Sequence, residues 1–233
     1  MKKIVLKISG ESLQKDTQGS GFSIENVYKV ASDLKYLYNF GFLLLIVLGG
    51  GNFLRGAQHK EYNISRLSVD SMGMIATIIN SLALCDALKK EGVPSVLYST
   101  IQVGNFCEEY SVEKAENAFK DRNIVIVGGG TGIPYFSTDT SAAIRAIEHG
   151  ADWLIKLTKV DGVYNEDPVA NSRAILYNEI SYDEFLIKKI NVMDLSAVTL
   201  CRDFLIPIYV LNMKHIRKLS YLIDERSEGT VIY

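Results

Sequence analysis

Residues 44–55 read LLIVLGGGNFLR. Five apolar residues run straight into three glycines, and Arg55 follows four positions after Gly51. An apolar run without polar alternation is the pattern of a strand buried on both faces of a sheet. One glycine suffices for a turn, whereas three in a row cost about 0.5–1 kcal/mol each in backbone entropy relative to alanine. Bare backbone at that point therefore has a use. At the end of a parallel strand the usual use is to let a phosphate approach the main chain.

The arrangement recurs along the chain. NIVIVGGG, residues 123–130, is a second apolar run ending in glycines, and KIVLKISG, residues 3–10, ends at Ser9-Gly10. Helical spacing of Ile24, Val27, Ala31, Leu34 and Leu37 predicts a helix over 24–40, closed by Gly41. A long apolar-rich helix is expected over 69–90, a short one from Ser111 to about Phe119, and another starting at Asp139 and ending at His149. SVLYS (95–99), DWLIKL (152–157) and IPIYVLNM (206–213) read as strands, and residues 56–66 as a loop. A capping box at Ser181 and Glu184 and a cap at Asp194 open two short helices, and GTVIY (229–233) closes the chain after a last one. Strands alternating with helices predict an α/β fold: one domain over residues 1–233, a three-layer α/β/α sandwich with a mainly parallel central sheet.

The totals set limits on function. Of 233 residues, 48% are hydrophobic and 22% charged, so a sizeable core is available and disorder is not expected. A formal net charge of −2 argues against a broad nucleic-acid or membrane footprint but leaves room for a local cationic pocket. Cys85, Cys107 and Cys201 are far apart with no CxxC pair, which suggests neither a disulfide framework nor a zinc knuckle. His59, His149 and His215 are scattered, so no side-chain metal site is expected. No targeting segment and no bilayer-length apolar window are evident, and a cytoplasmic protein is expected.

Two cations stand beside the glycine turns: Lys7 at the end of the first strand and Arg55 just past Gly51. With two triple glycines, each after an apolar strand, they favour a phosphate site over a mere tight turn. The chain has no GxxxxGK[ST], GxGxxG or GxSxG. It therefore lacks the signatures of P-loop enzymes, dinucleotide-binding folds and α/β-hydrolases. A phosphoryl-transfer enzyme without a P-loop remains.

KISGESL (7–13), GGGNFLRG (49–56), DSMGMIATIINSLAL (70–84), GGTGIPYFSTDTSAAIRAIE (129–148), KLTKVDGVYNEDP (156–168) and VMDLSAVTL (192–200) follow one another in that order. Together they resemble the bacterial uridylate (UMP) kinases of the amino acid kinase family. The resemblance implies that the chain transfers the γ-phosphoryl group of ATP to UMP, with Mg²⁺, in pyrimidine nucleotide biosynthesis. It implies Lys7, Asp139 and Arg55 as catalytic residues, with Asp139 orienting the lysine. For ATP it implies Lys7, Ile8, Ser9, Gly10, Gly51, Arg55, Thr158, Tyr164 and Asp167. For UMP it implies Gly50, Asp70 on the ribose hydroxyls, and the run Thr131, Gly132, Ile133, Pro134, Tyr135, Phe136, Ser137 and Thr138. A homohexamer activated by GTP and feedback-inhibited by UTP is the family's habit. Ile133 stands where many members carry asparagine, and the segment 14–23 is irregular where the GTP response lies, so little GTP activation is expected here.

The residues suit such a task. The UMP phosphate is already an anion, so no strong general base is required, and positioning and charge stabilisation dominate the transfer. Asp139→Asn is expected to lower kcat with little effect on stability, since asparagine caps a helix about as well as aspartate. Two alternative readings remain. One is another amino acid kinase, phosphorylating a carboxylate or carbamate; Asp70 disfavours it because an anionic acceptor head group repels a carboxylate. The other is a non-catalytic nucleotide sensor, against which Lys7, Arg55 and Asp139 stand together.

Overall fold

A computed structural model of the protein describes residues 1–14, 21–54, 63–168, 170–171 and 173–233. Nine strands form one sheet: β1 (Lys3–Ile8), β2 (Leu43–Leu48), β3 (Ser95–Ser99), β4 (Glu108–Glu109), β5 (Ile124–Gly128), β6 (Trp153–Thr158), β7 (Glu179–Ile180), β8 (Ile208–Asn212) and β9 (Thr230–Ile232). Their order across the sheet is β4-β3-β5-β2-β1-β6-β8-β9-β7. Every pairing is parallel except β8 with β9.

Helices cover both faces. On one side lie α1 (Ile24–Phe40), α2 (Arg66–Lys90) and α7 (Leu219–Glu225), packed on Ile4, Leu6 and Ile8 of β1 and on Leu44, Ile46 and Leu48 of β2. On the other lie α3 (Val112–Lys120), α4 (Thr138–Glu148), α5 (Tyr182–Ile187) and α6 (Leu195–Asp203), packed on Val5, Leu45, Val47 and Leu154. The fold class is the expected three-layer sandwich. Alternation along β1 has a consequence for the site: Ile4, Leu6 and Ile8 point to the α1/α2 side, so Lys7, like Val5, points to the α4 side. The same holds on β6, where Lys156 shares the face of Leu154 and is the register partner of Lys7.

Several expectations are corrected. Helix α4 begins at Thr138, and the Ser137 side chain caps it by accepting from the Asp139 N–H. Asp139 therefore sits inside the first turn and is not the cap. Asp194 occupies the N-cap position of α6, but its carboxylate makes no capping bond. Helix α2 starts three residues earlier than its apolar pattern suggested, because the Ser65 hydroxyl caps it by accepting from the Ser68 N–H. Strands β4 and β7 add to the expected set: each is two residues long, too short to show a period. Of the expected loop over 56–66, residues 56–62 lie outside the described residues. Finally, α2 is long and apolar enough by composition to cross a bilayer, contrary to expectation, but half of its apolar window is buried against the sheet.

Candidate active site

The carboxyl ends of β1 and β6 place two lysines side by side. Between them, from the first turn of α4, comes the buried carboxylate of Asp139. Lys156 Nζ donates to Asp139 Oδ2 at 2.5 Å, and Lys7 Nζ lies 2.8 Å from Oδ1. The three side chains are only 12%, 12% and 7% exposed. Burial pushes the Asp139 carboxyl up, but the charges of Lys7 and Lys156 outweigh it and hold it well below the usual carboxylate range. Burial, and then the charge of Lys7, pull Lys156 below the ordinary lysine value against the opposing pull of Asp139. The trio is immobilised where three elements meet.

Glycine serves this region in two ways. A Cβ on Gly10 would meet Asn52 Oδ1 and the Gly49 carbonyl at 2.5 Å, and one on Gly50 would meet the Gly73 carbonyl of α2 at 2.7 Å. These glycines let the ends of β1 and β2 and the flank of α2 close together. Gly51 is different: a Cβ there would make only an ordinary contact, with Glu11 Oε1 the nearest atom at 3.9 Å. Beneath the turn the buried amides of Asn52 and Asn80 pair reciprocally at 2.9 and 2.7 Å, and Asn80 Nδ2 also donates to the Gly49 carbonyl at 2.8 Å.

Two cavities open at the carboxyl edge of the sheet. The smaller, about 310 Å³, is lined by Gly50, Gly51, Asp70, Thr138, Asp194 and the loop Ile133–Ser137. Its wall reaches the lysine pair, since Thr138 precedes Asp139 and the Asp194 N–H approaches Asp139 Oδ2 at 3.4 Å. The larger, about 740 Å³, is bordered by Glu11, Ser12, Lys159, Met213 and the flank of α1.

The remaining expected residues fall around this frame. Ile8 is fully buried on the α1/α2 side, so only its main chain can face a ligand. Ser9 and Gly10 lead into the 3-10 turn Gly10–Leu13. Thr131 ties its own loop by donating to the Ile133 carbonyl and accepting from its N–H, and Gly132 lies beside it; neither lines the smaller cavity. Thr158 makes the same closed turn with Val160. Tyr164 bridges to Leu176, and the Asp167 carbonyl accepts from Ala170 and Asn171. Thr158, Tyr164 and Asp167 line neither cavity. Arg55 lies outside the described residues.

A family model described as the amino acid kinase family matches residues 2–212. The chain belongs to the amino acid kinase family. It is 45% identical over 231 residues to a uridylate kinase of Colwellia psychrerythraea, covering 99% of this chain and 93% of that one. Its fold is similar to the UMP kinase of Bacillus anthracis, with a TM-score of 0.93 at 32% identity over 99% of this chain and 95% of the other. It is likewise similar to the UMP kinase of Ureaplasma parvum, with a TM-score of 0.91 at 34% identity over 99% and 98% of the two chains.

Sequence reading of this amino acid kinase missed three residues that the geometry brings to the site. Lys156 sits inside an apolar strand, where a lysine on a buried run is itself a signal that it has a buried partner. Asn80 sits inside an apolar helix and is fully buried, a comparable signal. Arg66 carries no such mark: it precedes the apolar part of α2 and reaches Asp70 only once the helix has formed.

Proposed function

We propose that this chain catalyses ATP:UMP phosphotransfer, giving ADP and UDP, as a single amino acid kinase domain of the cytoplasm. The observation that carries this is the Lys7–Asp139–Lys156 cluster, a fixed cationic pair at the strand ends beside the glycine turns. The smaller cavity, with Asp70 and the 131–138 loop, takes the acceptor UMP. The larger cavity takes the donor ATP, its phosphates lying along Ser9, Gly10 and Gly51, with Thr158, Tyr164 and Asp167 further along the nucleoside side.

The chemistry is an in-line displacement. An oxygen of the UMP phosphate attacks the γ-phosphorus of ATP, and the bridging oxygen leaves with ADP. Negative charge accumulates on the transferred group, and two lysines held by one buried aspartate are aimed there before reaction begins. Asp139 acts by direction: its carboxylate fixes both ammonium groups. Arg55, four residues past Gly51, would add a bidentate fork for phosphate oxygens.

Mg²⁺ would arrive with ATP. Among the described residues no three His, Cys, Asp or Glu side chains converge as a cage, and both Asp139 oxygens already face lysines. The donors that suit such an ion are therefore phosphate oxygens and water; bound there, it would neutralise phosphate charge. A homohexamer is the proposed assembly, supported by α2: Met72, Ile75, Ile79 and Leu82 form an exposed apolar stripe at helical spacing. UTP, with the acceptor's base and sugar, is the proposed feedback inhibitor.

An assay of ADP release with UMP, CMP, dUMP, aspartate, glutamate and carbamate as acceptors tests this directly. UMP should be strongly preferred. Turnover on a carboxylate or carbamate instead would assign the chain to another amino acid kinase activity.

A further inference from the structure

The wall of the smaller cavity carries a cluster that phosphoryl transfer itself does not use. Asp70, one turn into α2, has a side chain only 11% exposed. Arg66 Nε spans its two oxygens at 2.7 and 2.8 Å, from the preceding turn of the helix. From the other side, Asp70 Oδ2 accepts the main-chain N–H of Tyr135 at 2.9 Å. Tyr135 has φ of +73°, a left-handed conformation that a bulky residue adopts only where its surroundings enforce it. Its side chain is 67% exposed, and those of its neighbours Ile133 and Phe136 are 59% and 52% exposed. Apolar packing of side chains is thus not what pins this part of the loop.

We propose that Arg66 is a positioning residue of the acceptor site, holding the Asp70 carboxylate in one orientation so that it both latches the strained Tyr135 main chain and presents its remaining lone pair to an acceptor hydroxyl. A carboxylate offers about four acceptor sites. Arg66 and Tyr135 leave room for a ligand donor on the cavity side. Asp70 is thereby shared between loop and ligand. Without Arg66 the carboxylate can rotate about its side-chain bonds, and the loop main chain at Tyr135 loses its tie to α2. The effect falls on acceptor binding, because the lysine pair, held by Asp139 and not by this cluster, is untouched. This rests on the UMP kinase activity proposed above only for the identity of the ligand.

The test has two arms. In ligand-free protein, amide hydrogen exchange of residues 133–137 should quicken in both Arg66→Gln and Asp70→Asn, with an unchanged melting temperature. Unchanged exchange in Arg66→Gln would overturn the latch whatever the substrate is. In steady-state kinetics, Arg66→Gln should raise KM for UMP about tenfold, the scale of losing one charge-assisted hydrogen bond. The kcat and the KM for ATP should hardly move. Arg66→Lys should recover part of the loss, since a lysine can still reach Asp70 from one turn away. In an Asp70→Asn background, Arg66→Gln should add little further. Full additivity of the two substitutions would mean that Arg66 acts on the ligand itself, and would overturn its action through Asp70. Failure of wild-type protein to turn over UMP would sink the proposed activity and leave the exchange arm to decide the latch.

Discussion

Lys7 and Lys156 are like charges in register on adjacent strands, and Asp139 is what lets them stand together. Removing one lysine and removing the aspartate therefore differ in their effect on stability. In Lys7→Met, Asp139 keeps Lys156 and a repulsion is relieved. The melting temperature should hold while kcat falls about 10²–10³-fold, as when a comparable charge-stabilising donor is lost. Asp139→Asn leaves two buried ammonium groups without a counter-charge. It should cost about 3 kcal/mol of stability as well as activity. This replaces the sequence-based expectation that stability would barely change, which took Asp139 for a helix cap; Ser137 holds that position. The pH dependence follows from the depressed Asp139 carboxyl. Its contribution is fully present above the unfolded value near 3.9 and is lost as pH falls below about 4. Thermal unfolding across pH 2–6 should show this acid limb in the wild type and a shallower one in Asp139→Asn.

At the scale of elements, the turn after β2 is held from below. Asn52 and Asn80 satisfy one another, and Asn80 also reaches the Gly49 carbonyl, so the glycine turn is fastened to α2. Asn80→Leu keeps the branched shape and removes the partners. It takes the Asn80 donor from the buried Asn52 Oδ1 and Gly49 carbonyl, at about 1–3 kcal/mol for each group, while Asn52 Nδ2 keeps the Gly21 carbonyl. Denaturant unfolding should show the loss, and KM for ATP should rise because Gly51 shifts with the turn. A stability equal to wild type would mean that water or a rearranged loop replaces the amide.

For the whole molecule, the stripe Met72–Ile75–Ile79–Leu82 on α2 is a regular apolar feature left exposed along one helix. A charge within it, as in Ile75→Glu, should lower the sedimentation coefficient toward that of a single chain while far-ultraviolet circular dichroism stays native. An unchanged sedimentation profile would place the assembly contact elsewhere. GTP is expected to raise the rate by less than about twofold. Coupling between subunits needs contacts that differ between two states, and Ile133, exposed at the cavity wall, offers none of the polar kind. Strong activation at saturating UMP would show that such coupling does not pass through residue 133.

By itself the sequence determined the α/β class, the parallel strands, most helix positions and the two glycine turns, because these depend on local period and on residues with special backbone properties. LLLIV and IVIV are apolar throughout and KIVLKI nearly so, the pattern of strands with helices on both faces. Lys7 and Asp139 were legible as a charged residue at a strand end and an acidic one at a helix start. The tertiary structure alone decided which charges meet. Lys156 joins Lys7 because β6 pairs with β1, a neighbour relation between segments about 150 residues apart that no local pattern encodes. Asp139 lies between the two lysines because α4 crosses that face of the sheet, and Ser137 caps α4 because the chain enters it one residue earlier than its apolar spacing suggests. Asp70 latches Tyr135 for the same kind of reason: α2 and the 131–138 loop share a wall only once the sheet has brought β2 and β5 side by side.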